Sequence, residues 1–445
     1  MSNMKYSGIE WNGNIPEEWN VNKIKNVINI YTGNSIPDDD KGNYEDNTNA
    51  IPYIATKDID LNNFSVDYNN GMYTKVNDKK FKTAHIGDSL LCIEGGSAGK
   101  KIAYLDKNVS FVNKLCCFNP IKLNNKYTYY YLQSDAFKEQ FNQNIFGLIG
   151  GVGQAVLKQF SVCVPNLKEQ KLIADFLDKK VKTIDDIIDD LNKEINILNN
   201  YKKQVISEIV TKGLNKNVVY KDSEIQWIGK MPKHWDIKLI KNICSLKGRI
   251  GWEGLTKDEY ISDGPTLITG INFKNGNIDW ESCEHVSEWR FNQDKFIQIK
   301  NNDLLITKDG TVGKIALVSD CPEQVTLNSG VLLIRPLDKD SYVEKYLYYS
   351  LLSDEFWHWF EIENIGNTTI IHLYQNRFAK FKLALPPIHE QKEIIKYLDD
   401  KCAKIDKILE DKNKQLELME QYKKSVIYEY VTGKKRVEGA EELYG

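Results

Sequence analysis

The sequence predicts an α+β chain with two β-rich domains in tandem pseudo-repeat, separated by two long helices that form a coiled coil. Three observations carry this: a duplicated opening, a duplicated closing block, and a heptad-like seam inside that block. IEWNGNIPEEWNVNKIKNV, from Ile9, aligns without gaps to IQWIGKMPKHWDIKLIKNI, from Ile225. Eight of 19 positions are identical, including Trp11/Trp227, Gly13/Gly229, Pro16/Pro232 and Trp19/Trp235. Residues 165–211 match residues 386–432 at 22 of 47 positions, well beyond what unrelated Lys- and Ile-rich segments share. The order is A-B-A'-B', and the offset grows from 216 to 221, so the second copy carries about five extra residues.

The elements follow in order. Residues 1–165 and 213–385 hold short apolar runs such as IPYIATKDI, GDSLLCI and VLLIRP between Asn, Asp and Gly clusters, the signature of strands with irregular loops. One helix is expected in each, over 127–141 and 343–360. Residues 166–212 form the first long helix. Their apolar positions at 177, 181, 184, 188, 191, 195 and 198 keep the 4-3-4-3 spacing of a coiled-coil seam. Residues 386–434 form the second, with 398, 402, 405, 409, polar Lys412, 416 and 419. Neither seam stretch holds Gly or Pro, so each predicts one helix of roughly 40 residues and about 60 Å. Charges balance on them, nine basic to nine acidic over 168–212 and nine to ten over 389–431, which suits helix pairing better than phosphate binding. Residues 435–445 form a C-terminal tail.

Composition bounds the function. With 59 Lys plus Arg against 62 Asp plus Glu, a net charge of -3 excludes a basic blanket for gripping nucleic acid, though not a local patch. No run of 18 apolar residues and no secretory signal occur, which predicts a cytoplasmic protein away from membranes. Eight cysteines without a C-x-x-C pair argue against structural zinc and disulfides.

Catalytic motifs fail on inspection. GGSAGKK at 95–101 and DGTVGK at 309–314 lack the P-loop spacing and the hydroxyl after the lysine, and they read as glycine-rich loops offering lysine and amides to an anion. The nearest approaches to an adenine methyltransferase tetrapeptide, Asn119-Pro120-Ile121-Lys122 and Leu385-Pro386-Pro387-Ile388, do not fit. The six histidines show no H-E-x-x-H. Glu169, Gln170, Glu390 and Gln391 recur at helix starts, where acid favours the helix dipole, and predict an architectural or partner-binding role. Trp19 and Trp235 hold fixed places in the repeat and predict domain-to-helix packing.

The Pro-x-x-Trp openings, the LLITKDGTVGK stretch and the Pro-x-x-x-Glu-Gln segments before long helices together closely resemble the specificity subunit of type I restriction-modification systems, over essentially all 445 residues. The resemblance implies that each β-rich block is a target recognition domain and that the two helices pair antiparallel as a spacer. It implies a non-catalytic subunit that selects a bipartite double-stranded DNA target for adenine methylation or restriction. Two methyltransferase subunits and motor-nuclease restriction subunits would be its partners. S-adenosylmethionine, ATP and magnesium would belong to those partners, with no cofactor in this subunit.

DNA contacts are expected from Lys57, Lys100 and Lys101 in the first domain, and from Thr269, Asn272, Lys308 and Lys314 in the second. Residues 1–165 hold no Arg, whereas 213–385 hold Arg249, Arg290, Arg335 and Arg377. Guanine readout by Arg is therefore expected only from the second domain, with Arg249 and Arg290 as candidates and Arg335 inside an apolar run. A coiled-coil scaffold whose β-rich ends bind protein fits the balanced charge equally, but leaves the duplicated Gly-Lys loops without a role.

Overall fold

The structure, a computed structural model, describes residues 3–147, 150–249, 255–338, 341–364 and 372–444. They fall into two compact units, 1–192 with 414–445, and 193–413. Each unit thus holds one β-rich domain, the start of the long helix that follows it, and the end of the other long helix.

In the first unit, an antiparallel sheet runs in the order Ile28–Thr32, Leu115–Pro120, Ser89–Cys92, Ile102–Tyr104. A second sheet runs Tyr73–Lys75, Ala50–Ile54, Val109–Phe111, Thr83–Ala84, with Ala50–Ile54 parallel to Val109–Phe111. Side chains alternate along a strand, and here both faces are covered. Leu91, Ile102, Cys116 and Phe118 pack with the helical residues Leu132, Phe137 and Phe141, whereas Leu90, Cys92, Ala103 and Cys117 meet Ile54 and Phe111. This is why Leu90–Cys92 reads as a continuous apolar run instead of alternating.

The second unit repeats the plan. Cys244–Lys247, Val331–Pro336, Leu304–Thr307 and Ile315–Leu317 form the antiparallel sheet, and Ile261–Ile268 lies parallel to Val325–Leu327 in the other. Asn20–Lys23 pairs with Ser161–Val164 in the first domain, and Asp236–Leu239 with Lys382–Leu385 in the second.

The one helix expected in each domain is two. Asn125–Gln133 is followed by Asp135–Gln143, and Glu344–Leu352 by Asp354–Glu363. Ser134 and Ser353 sit at the breaks in extended conformation, and each hydroxyl donates back to a carbonyl of the preceding helix at 2.6 Å. Serine's competition with the backbone ends a helix that the apolar period alone would continue.

The long helices are Leu167–Lys212 and Ile388–Val431, 46 and 44 residues, or about 69 and 66 Å at 1.5 Å per residue. They pair antiparallel within each unit. In the first, the rings of Phe176 and Tyr430 lie 4.4 Å apart and Lys423 reaches Asp185 at 2.6 Å. In the second, Lys202 reaches Asp406 at 2.6 Å and the polar seam residue Lys412 reaches Glu194 at 2.5 Å. Leu177, Val181, Ile184, Leu191, Leu398, Cys402 and Ile405 are buried along the seam. Among the described residues, no helix is long and apolar enough to cross a membrane.

Candidate nucleic-acid interface

Each domain is fixed to its helices by the same joint. Trp19 and Trp235 are fully buried, and their indole nitrogens donate at 2.9 Å to Glu169 and Glu390. The Gln170 amide donates to Pro165 O at 2.8 Å and accepts from Asn124 N at 2.7 Å; Gln391 does the same with Pro386 O and Val343 N, both at 2.8 Å. Tyr127 Oη lies 2.8 Å from Cys163 O and 2.9 Å from Val431 O. Tyr346 Oη lies 2.9 Å from Ala384 O and 3.0 Å from Val210 O. One phenolic proton is thus shared between a domain strand and the last turn of a long helix. Burial raises the Tyr346 pKa, which keeps that proton in place. Tyr130 and Tyr349 donate to Asp178 and Asp399 at 2.6 Å, and burial together with those carboxylates holds both phenols protonated. Gly213 and Gly433 end the helices at positive φ, and a Cβ on Gly433 would meet Pro16 at 2.3 Å, so only glycine fits there. The structure therefore places Trp19, Trp235, Glu169, Gln170, Glu390 and Gln391 in the two joints.

At each domain's second sheet the chain leaves its central strand through a tight turn. In the first domain, Asp58 N bonds Ala55 O at 3.1 Å, the Asp58 carboxylate accepts from Ala55 N at 2.8 Å, and Asp67 N bonds Asp58 O at 2.8 Å. In the second, Asn272 N bonds Thr269 O at 3.2 Å, the Asn272 side chain accepts from Thr269 N at 2.7 Å, and Asp279 N bonds Asn272 O at 2.8 Å. A lysine from the Gly-Lys loop closes each turn. Lys101 Nζ donates to Thr56 O at 2.9 Å, and Lys314 Nζ donates to Gly270 O at 3.1 Å.

This geometry sorts the expected DNA contacts. Lys57 stands exposed at the apex of the first turn, and Lys100 is exposed on its Gly-Lys loop. Lys101 and Lys314 hold the turns from inside. Lys308 is half-buried at the strand end, its amide bonded to Gly330 O at 2.9 Å. Thr269 donates its hydroxyl to Asn272 at 2.8 Å. Two expectations are corrected. Asn272 is fully buried, and its amide nitrogen is spent on Ser282 O at 2.8 Å. Arg249 is 1% exposed and donates to Leu327 O at 2.9 Å and to Thr326 Oγ1 at 3.2 Å. Neither side chain reaches outward to a base. Arg335 is a bidentate partner of buried Asp303, at 2.5 and 2.6 Å. Arg290 pairs with Glu259 and lies 5.1 Å from the centre of the exposed Trp289 ring. Arg377 lies 5.1 Å over Tyr374.

Sequence reasoning missed three features. Ile271, 78% exposed at the apex of the second turn, is apolar and carries no motif that marks it. His372 Nδ1 meets Asp309 at 2.5 Å, a pairing 63 residues apart with no local signature. Phe296 is exposed with Lys247 Nζ 5.1 Å from its ring centre.

Two copies of the type I restriction modification DNA specificity domain match the chain, over residues 16–197 and 232–418. The chain belongs to this family. Among curated relatives, the type I restriction enzyme MjaVIII specificity subunit of Methanocaldococcus jannaschii is 26% identical over 437 residues, covering 95% of this chain and 94% of the relative. The type I restriction enzyme EcoBI specificity subunit of Escherichia coli is 24% identical over 331 residues, 70% of this chain and 69% of the relative. A solved chain, from work on complex assembly and conformational transition of the type I R-M system, shares the fold with a TM-score of 0.70 at 14% identity. The match covers 95% of this chain and 99% of the other. Both family matches run from the Pro-x-x-Trp joint of a domain into the helix that follows it, so the family unit includes the joint.

Proposed function

We propose that this chain is the DNA sequence-specificity subunit of a type I restriction-modification complex, acting in the cytoplasm without chemistry of its own. Its two domains each recognise one half of a bipartite double-stranded target. Two methyltransferase subunits and, for restriction, motor-nuclease subunits act where it binds. S-adenosylmethionine, ATP and magnesium belong to those partners. The observation that carries this reading is the duplication itself: two homologous domains, built on one scaffold and fastened by one kind of joint, differ in their outward loops. Two different short sequences read at one separation require that arrangement.

The domains are neutral and -2 over 1–165 and 213–385, so bulk charge contributes little to binding. The isolated subunit therefore binds DNA weakly, and its partners supply much of the phosphate contact and salt dependence. The direct test is co-expression with a type I methyltransferase subunit followed by methylome sequencing. A bipartite N6-methyladenine motif that appears only with this chain is expected; no chain-dependent motif would overturn the reading. Inserting one heptad into both helices should widen the unread gap and leave both half-sites unchanged.

A further inference from the structure

We propose that the two pinned turns are the reading tips of the domains, with Lys57 and Ile271 as the specificity-determining residues of the two half-sites and Lys101 and Lys314 as positioning residues beneath them. This rests on the DNA-recognition reading above.

The argument starts from what the domains share. The turns match bond for bond: a backbone closure, a side-chain staple from Asp58 or Asn272, a bond to the following loop, and a lysine tie to the carbonyl of Thr56 or Gly270. Only the short polar character of the staple and the lysine are kept in sequence, so selection of the geometry outlasts the residues around it. Four restraints on so short a segment hold its apex in one place, which is what precise recognition requires.

The domains differ at the apex. Asp58 and Asn272 point inward and are buried, while Lys57 and Ile271 point outward. A single exposed isoleucine is ordinary on a protein surface. An isoleucine 78% exposed at the apex of a turn held four ways, opposite a lysine in its twin, is a matched position where two copies present different chemistry. Lysine offers ammonium donors to the O6 and N7 acceptors of guanine, whereas isoleucine offers apolar contact to a thymine methyl, both in the major groove. The first tip thus favours guanine and the second thymine. Guanine contact in the first half-site then comes from Lys57, in a domain with no arginine.

The test uses the full chain assembled with its methyltransferase subunits, and compares Lys57→Ile with Ile271→Lys. Each variant should change or relax base preference in one half-site only, the two variants should affect opposite half-sites, and methylation kcat/KM on the original target should fall about 10- to 100-fold. Both apices are exposed, so each variant should keep the wild-type unfolding midpoint. An unchanged motif with wild-type kcat/KM, or an equal loss at both half-sites, would overturn the tips while leaving the broader reading intact. Absence of any bipartite methylation by the wild-type complex would sink that reading instead. For the ties, Lys101→Met and Lys314→Met should raise KM for opposite half-sites with kcat retained, and Lys→Arg should restore it. A loss of stability without half-site selectivity would reduce the lysines to scaffold.

Discussion

The two joints use the same tryptophan and the same glutamate but give the acid different partners. Glu169 is fully buried and meets Arg436 of the C-terminal tail at 3.0 Å, 267 residues away. Glu390 keeps a quarter of its side chain exposed and meets His234, the neighbour of its own tryptophan, at 2.6 Å. In the first joint Arg436 also faces Glu18, at 3.7 Å, at the position that His234 holds in the second. A buried acid meets an arginine 267 residues away in one copy, and a quarter-exposed acid meets a nearby histidine in the other. The acid of the first joint thus meets the C-terminal tail, whereas the acid of the second meets a residue of its own domain.

Removing what the joints share should produce the largest effect. Trp19→Ala and Trp235→Ala each delete a fully buried side chain and should cost about 3–5 kcal/mol. The loss should be confined to the unit that holds the mutated tryptophan. Hydrogen exchange followed by mass spectrometry would show this, and exchange that spreads equally through both units would break the equivalence of the joints.

Removing what they do not share should separate them. Arg436→Ala leaves Glu169 buried without its guanidinium and should cost about 3 kcal/mol. His234→Ala acts on a pair exposed by 45% and 25%, and should cost no more than about 1 kcal/mol. Urea denaturation of the full chain reads both, and equal costs would show that the tail adds nothing special to the first joint.

The sequence made the joints visible as positions and not as contacts. Trp19 and Glu169 recur in the second copy within their duplicated blocks, so a shared architectural role follows; that they touch across 150 residues does not. Arg249 and Asn272 fail for a related reason. An arginine after a glycine, or an asparagine after a strand, looks the same whether it faces solvent or the core. The matching Asp58, three residues after Ala55 as Asn272 is after Thr269, carried the clue that this is a staple. Leu90 pairs with Ala103 and Leu305 with Ala316, so Leu90 corresponds to Leu305, and the first Gly-Lys loop is two residues longer than the second. Lys100 is one of the two extra residues, lying between matched Gly99 and Lys101 in a loop whose length no periodicity constrains. The strands themselves were legible because both faces of Leu90–Cys92 are buried, leaving a run with no polar interruption.

A smaller effect should be equal in the two copies. Tyr127→Phe and Tyr346→Phe each strip one shared phenolic proton from two buried carbonyls, for about 1–3 kcal/mol. The volume change is slight, so the loss reports the hydrogen bond alone. If Tyr127→Phe costs clearly more, the tail in the first joint has made its carbonyls harder to hydrate.

The smallest effect belongs to the helix seam. Its polar interruption at Lys412 pairs with Glu194 in the second unit, whereas Leu416 and Met419 keep the seam apolar in the first. Lys412 is 28% exposed and Glu194 52%, so the pair is screened by water and contributes less than about 1 kcal/mol. A leucine at this position would extend the apolar seam. Lys412→Leu should therefore leave stability unchanged or raise it by about 0.5 kcal/mol, because apolar packing replaces a weak pair. What the lysine contributes is register: a single polar residue at a seam position disfavours sliding of one helix along the other. A cross-link between cysteines placed at 202 and 406 should then form less selectively in Lys412→Leu, against neighbouring cysteine pairs one heptad away. A stability loss above about 1 kcal/mol would instead make the Lys412–Glu194 pair a structural support of the second unit.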